Sequence, residues 1–166
     1  MDLDTALNDK APHSQRATDL LRADHQEISA LFDDYQQAMD DDSPVRETLA
    51  QTICMQLDLH NRIELEVFYP VVRAEDAELI DEATQDHQEI DALISALQAL
   101  FVEDENFDAR MLDLMDAVES HIATEEEELF PLLEDRIDGT LRHLCAEIIR
   151  YKEKQVGATE DLSGRA

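Results

Sequence analysis

The chain is poor in helix-breaking residues, with three glycines and four prolines among 166 residues. Aromatics make up 5% and tryptophan is absent, so a β-sandwich or barrel has little to build from. The two cysteines, Cys54 and Cys145, lie far apart and form no CxxC unit, which leaves a disulfide framework or thiolate zinc site without support. Basic residues are scarce, at 13 against 41 acidic ones, and lysine stands only at positions 10, 152 and 154. A formal net charge of -28 repels phosphate backbones and anionic lipids, so the expected partners include neither nucleic acid nor membrane. A saline habitat and a plainly solvated surface would both produce such acidity. No apolar run approaches the ~20 residues of a membrane span. The opening Met1-Asp2-Leu3-Asp4 lacks the basic start and apolar stretch of a signal peptide, which makes a cytoplasmic location the expectation. No Gly-rich phosphate loop or nucleophile elbow occurs.

What is present is helical. Hydrophobic residues account for 43%, mostly Leu, Ile, Ala and Met, enough to fill one core. Leu21, His25, Ile28, Phe32, Tyr35 and Met39 step by four and three, which predicts a first helix over about 15–40. Ser43-Pro44 then reads as an N-cap followed by a proline at the first helical position. The second helix, over about 44–73, carries Ile53, Leu57, His60, Glu64, Val67 and Val71 on its stripe. The third, over about 76–101, carries Ile80, Ala83, His87, Ile90, Ile94, Leu97 and Phe101. Asn106 or Asp108 is placed to cap a fourth, reaching about 137 with Met111, Leu114, Val118, His121, Glu125 and Leu132. Gly139 suits its stop. Short connections favour antiparallel neighbours. The predicted organisation is therefore all-α: a loose lead-in over 1–13 and an up-down-up-down four-helix bundle over 14–139. An accessory helix over 140–156 and a frayed tail over 157–166 complete it.

The two halves repeat. Asp24-His25-Gln26-Glu27-Ile28 returns as Asp86-His87-Gln88-Glu89-Ile90, offset by 62 residues. His60-x3-Glu64 with Phe68-Tyr69-Pro70 returns 61 residues later as His121-x3-Glu125 with Leu129-Phe130-Pro131. A duplicated helix pair folded on itself implies an approximate two-fold axis through the core. Pro70 and Pro131 each remove an amide donor late in a helix and are expected to bend it.

Four of the six histidines therefore lie on core-facing stripes, one per bundle helix, and two helices add a glutamate one turn on. A single such histidine is more often a hydrogen-bonded core residue than a ligand. Together the six change the balance. Side chains at i and i+4 lie roughly 6 Å apart at Cβ, and facing helices about 8–10 Å apart, so all six can converge. Two buried carboxylates are costly unless protonated or neutralised by cations. Imidazole with carboxylate and no thiolate suits iron, manganese or zinc. Carboxylates bridge naturally between two ions about 3.5–4 Å apart. The candidate ligands are His25, His60, Glu64, His87, His121 and Glu125, with His25 and His60 on one ion, His87 and His121 on the other, and the glutamates between. His13 and His143 lie outside the repeat and are expected not to be ligands. Cys54 and Cys145 are expected to serve only packing.

At these residues, over 20–133, the sequence closely resembles the hemerythrin-like, or HHE cation-binding, family. The resemblance implies a non-haem centre of two iron ions, often oxo- or hydroxo-bridged. Its implied partners are small: oxygen, peroxide or nitric oxide, whether in enzymatic chemistry or in iron or redox sensing, storage or donation. The pattern departs from oxygen carriers on the third helix, where those proteins carry two histidines four apart. Here Ala83 and Asp91 flank His87 at that spacing. Oxygen carriers also place the fourth-helix carboxylate where Glu126 stands, so Asp91 and Glu126 remain possible added ligands. The set of four histidines and two glutamates looks more like di-iron repair proteins and other bacterial HHE proteins.

Overall fold

The computed structural model describes residues 15–163, so the lead-in 1–13 with His13 lies outside the described residues. Helix α1 spans Ala17–Asp40, and Asp19 Oδ2 accepts the Arg16 amide at 2.9 Å to close its first turn. Helix α2 covers 46–72, α3 Ala77–Gln98 and α4 107–136. Helix α5 continues over 138–163 after a kink at Ile137, where φ and ψ are -135° and 38°. The short links 41–45, 73–76 and 99–106 make successive helices antiparallel. Asp42 takes the left-handed turn at φ 46°, a conformation aspartate tolerates better than most residues. Asp76 Oδ1 accepts the Leu79 amide and caps α3.

Several expected boundaries move. Ser43 Oγ accepts from the Val45 amide, but α-helical geometry begins only at Arg46. Asn106 stands at the start of α4 without a side-chain cap. Asp108 lies inside that helix instead and accepts the Tyr35 hydroxyl at 2.5 Å and Arg46 Nη1 at 2.6 Å. Phe101 falls in the loop beyond α3 and is 78% exposed. Gly139 does not end a helix; it is exposed, with nothing near its missing Cβ, and the break falls two residues earlier at Ile137. The backbone stays helical to Ser163 rather than fraying from 157, because no proline intervenes and a single glycine, Gly157, costs a helix only about 1 kcal/mol.

The core has two apolar lobes. Leu21, Phe68, Tyr69, Val72, Phe130 and Leu133 lie in the lobe nearer α5. Ile28, Phe32, Ile53, Ile90, Leu97 and Leu114 lie in the other. Between them the same helices bury His25, His60, Glu64, His87, His121 and Glu125. Among the described residues, no helix is long and apolar enough to cross a membrane.

Candidate metal centre

Each of the four bundle helices delivers one imidazole to the polar layer, as the 3.6-residue period requires. The two glutamates sit where α2 and α4 widen. Glu64–Phe68 and Glu125–Leu129 form π turns, in which the Tyr69 amide donates to the Glu64 carbonyl and the Phe130 amide to the Glu125 carbonyl, five residues back. The next residue in each case is proline, which has no amide to place in the altered ladder. The expected bends are thus paired one-residue insertions, each beginning at a glutamate. Beyond them the core phase advances by one. Phe68, Val72, Leu129 and Leu133 are buried, while Val71 is exposed and Val67 and Leu132 are half-buried.

The six predicted side chains converge. His25, His60, Glu64 and Glu125 offer ligand atoms within 4.8 Å of one another, and so do Glu64, His87 and His121. Glu64 joins the halves: its Oε1 lies 3.2 Å from His60 Nε2, and its Oε2 lies 2.8 Å from His87 Nε2 and 3.5 Å from His121 Nε2. Glu125 Oε2 lies 3.2 Å from His25 Nε2 and 3.5 Å from His121 Nε2.

Behind the rings stand further carboxylates. Glu126 Oε1 is 2.8 Å from His25 Nδ1, Asp24 Oδ2 3.4 Å from His60 Nδ1, and Asp86 Oδ2 3.4 Å from His121 Nδ1. Glu126 therefore orients a ring from outside the cluster. Asp91 accepts Asn61 Nδ2 at 2.9 Å and stays out of it. His143 is exposed on α5, and neither cysteine is in a disulfide. Sequence reasoning missed Asp24 and Asp86, although each directly precedes a site histidine in the repeated motif. It also missed Tyr69, whose hydroxyl donates to Glu125 Oε1 at 2.5 Å and lies 3.3 Å from Glu64 Oε2 and 3.1 Å from His87 Nε2. The pseudo-equivalent of Tyr69 is Phe130, which stacks on His25 with ring centroids 5.8 Å apart.

The donor set fits a cation. A carboxylate accepts, so Nδ1 of His25 and of His60 donates to it, and their Nε2 atoms, free to ligate once the rings are neutral, face each other at 3.2 Å. Among the described residues, Glu64 Oε1, Glu125 Oε2 and His121 Nε2 are buried without a hydrogen-bond partner. Converging, unsatisfied electron donors are stable where a metal ion, or extra protons, lies among them. In the metal-free chain protons take that role. Burial alone would lower the His60 pKa, but the charge of Glu64 and the Asp24 hydrogen bond outweigh it and push it up to about 10. At His121 burial is likewise overcome by Glu125 and Glu64, and the pKa rises to about 9. Burial would raise Glu64, yet the charge of His60 and the surrounding imidazole hydrogen bonds hold it well below the usual carboxylate range. Burial and the charges of Glu64 and Glu125 push the Tyr69 phenol well above its ordinary value, so it remains a donor at neutral pH. A separate groove of about 770 Å³ between α2, α3 and the 99–106 loop touches none of the six residues.

A helical bundle whose core is divided by four imidazoles and two carboxylates belongs to the class of bundle-borne metal-binding proteins. Residues 16–133 match the hemerythrin HHE cation-binding domain, and the chain belongs to that family. It is 31% identical over 126 residues to a DNA nickase from Nostoc sp. (strain PCC 7120), covering 73% of this chain and 34% of that protein. The chain thus spans about a third of the length of this curated relative. A solved structure of a hemerythrin HHE cation-binding domain-containing protein from Mycobacterium kansasii superposes with a TM-score of 0.76. It covers 91% of this chain and 94% of that one at 24% identity, a likeness of fold.

Proposed function

We propose that this chain is a non-haem di-iron protein that engages small oxidants or diatomic ligands: oxygen, peroxide or nitric oxide. The carrying observation is the pair of inward Nε2 atoms 3.2 Å apart beside oxygens of two glutamates that have no hydrogen-bond partner among the described residues. His25 and His60 would hold one ion and His87 and His121 the other, with Glu64 and Glu125 shared. Manganese and zinc suit the same donors, and iron is what the resemblance to hemerythrin-like proteins implies. When bound, a pair of irons supplies electron transfer to small oxidants, and six protein ligands for two ions leave positions where such molecules can bind. The chain's own work is orientation and exclusion. Asp24, Asp86 and Glu126 fix ring tautomers, the two apolar lobes keep bulk water from the layer, and Tyr69 offers a hydroxyl proton beside Glu64, Glu125 and His87.

A second reading, an iron- or redox-sensing module, draws on the match to one third of a longer protein. DNA nicking finds no support on this surface, since 41 acidic against 13 basic residues repel a phosphate backbone. The test is metal analysis of protein produced with iron, followed by visible spectra before and after peroxide or nitric oxide. Two irons per chain and a spectral change support the proposal. Absence of bound metal overturns it, while bound iron indifferent to both reagents leaves only the module.

A further inference from the structure

The four rings are not backed alike. His25 Nδ1 meets Glu126 at 2.8 Å. His60 Nδ1 meets Asp24, whose other oxygen accepts Lys152 Nζ at 2.6 Å. Lys152 comes from α5, beyond the family match over 16–133. Tyr151 and Gln155 tie the same stretch of α5 to Glu66 and Arg62 of α2. In the other half His121 Nδ1 meets Asp86 at the same 3.4 Å, but among the described residues Asp86 meets no lysine or arginine. Its side chain is 35% exposed, against 15% for Asp24. His87 Nδ1 is buried with no hydrogen-bond partner among the described residues. The repeat explains the omission: 61 residues before Glu126 stands Leu65, so the pseudo-two-fold places an apolar side chain where a carboxylate would be needed.

We infer that the two metal positions are unequal: the His25/His60 position binds first and holds its ion, the His87/His121 position is exchangeable, and the C-terminal helix sets the difference through Lys152 and Asp24. This rests on the reading that the cluster holds two ions. A carboxylate behind a ligating imidazole fixes the ring and raises its basicity, and its loss lowers metal affinity about 10–100-fold. One position has two such carboxylates, Asp24 at 15% exposure and pinned by an ammonium, and Glu126 at 35%; the other has only Asp86, also at 35%. Lys152 is a positioning residue, since it acts through Asp24 on His60. The opposing influence is Tyr69, whose hydroxyl lies 3.1 Å from His87 Nε2; if it became a ligand, it would strengthen the second position.

The test is anaerobic titration of the metal-free full chain with ferrous iron against a competing chelator, resolving stoichiometry and stepwise affinities. Two ions should bind in steps separated by about 10-fold or more. Asp24→Asn should weaken the first step about 10-fold; Lys152→Met should weaken the same step by less, with the helical circular dichroism intact, and Lys152→Arg should restore it. Asp86→Asn should weaken the second step alone, and Glu126→Gln the first alone. Two ions of equal affinity, or a Lys152→Met effect confined to the second step, would overturn the ranking while leaving the two-ion reading standing. Uptake of one ion or none would overturn both.

Discussion

Glu64 concentrates the chemistry of the site in one residue. It lies within 4.0 Å of all four imidazoles, and burial should make its charge costly. Its charge survives because protons on the surrounding imidazoles, or metal ions in their place, compensate it. The pKa directions convert this into a pH dependence. Unfolded histidine titrates near 6.5, whereas folded His60 and His121 titrate at about 10 and about 9. Both pKa values are raised on folding, so their stabilising effect is complete below about 6.5 and is lost as pH climbs through 9 and 10. Glu64 is shifted the opposite way, and its contribution is lost only in acid, as pH falls through its depressed folded value. Metal-free protein should therefore lose resistance to urea steadily between about pH 6.5 and 10. Iron-loaded protein should be spared, because the metal replaces the titrating protons. Unfolding curves of the metal-free form that superpose across that range would refute the charge assignment.

At the scale of elements, the π turns place both the site and the core. Phase reading brought His25, His60, Glu64, His87, His121 and Glu125 to one layer because each helix keeps a regular period from its start up to its glutamate. Past Glu64 and Glu125 the same reading pointed to Val71 and Leu132, one residue short of the buried Val72 and Leu133. A widened turn adds a residue without changing composition, so periodicity carries no trace of it; the proline that follows shows only that the ladder is disturbed. Gly139 misled for a related reason: it resembles a helix stop, but the chain breaks at Ile137 and α5 is held by its own partners, Lys152 on Asp24 and Tyr151 on Glu66. The carboxylates behind the rings were legible only as repeated letters, because their role depends on the neighbouring helix. Deleting Glu127, an exposed residue of the second π turn, tests the phase argument. Without it, Leu129, Phe130 and Leu133 stand three, four and seven residues after Glu125, the core face of a plain α-helix, so the apolar core should survive the change from π turn to α-turn. The shortened chain should fold with its helical circular dichroism intact and a cooperative melting curve. Deleting Ala123 and Glu127 together removes one residue too many and should rotate the same three side chains by about 100° out of the core, at about 2–5 kcal/mol for each large side chain lost. A single deletion that unfolds the chain as thoroughly as the double one would refute the insertion reading.

For the whole molecule, the charge surplus and the split core oppose the folded state in the same way. A net charge of -28 on 18.9 kDa repels itself, and the polar layer interrupts what would otherwise be one continuous apolar interior. Raising salt from about 0.01 M to 0.15 M shortens the screening length from about 30 Å to 8 Å and should raise the melting temperature. A midpoint unmoved by salt would place the repulsion outside the stability balance. Metal acts at the second weakness. An ion that binds only the folded bundle adds about 2.7 kcal/mol when free metal stands at 100 times its dissociation constant. For a chain of this size each kcal/mol moves the midpoint by about 2–4 °C, so stripping one tightly held ion with a chelator should lower it by about 5–11 °C. The shift should be larger at pH 8 than at pH 6, because protons on His60 and His121 compete for the same nitrogens and weaken binding as pH falls. Equal midpoints before and after chelation at both pH values would mean that the imidazole layer is held by protons alone.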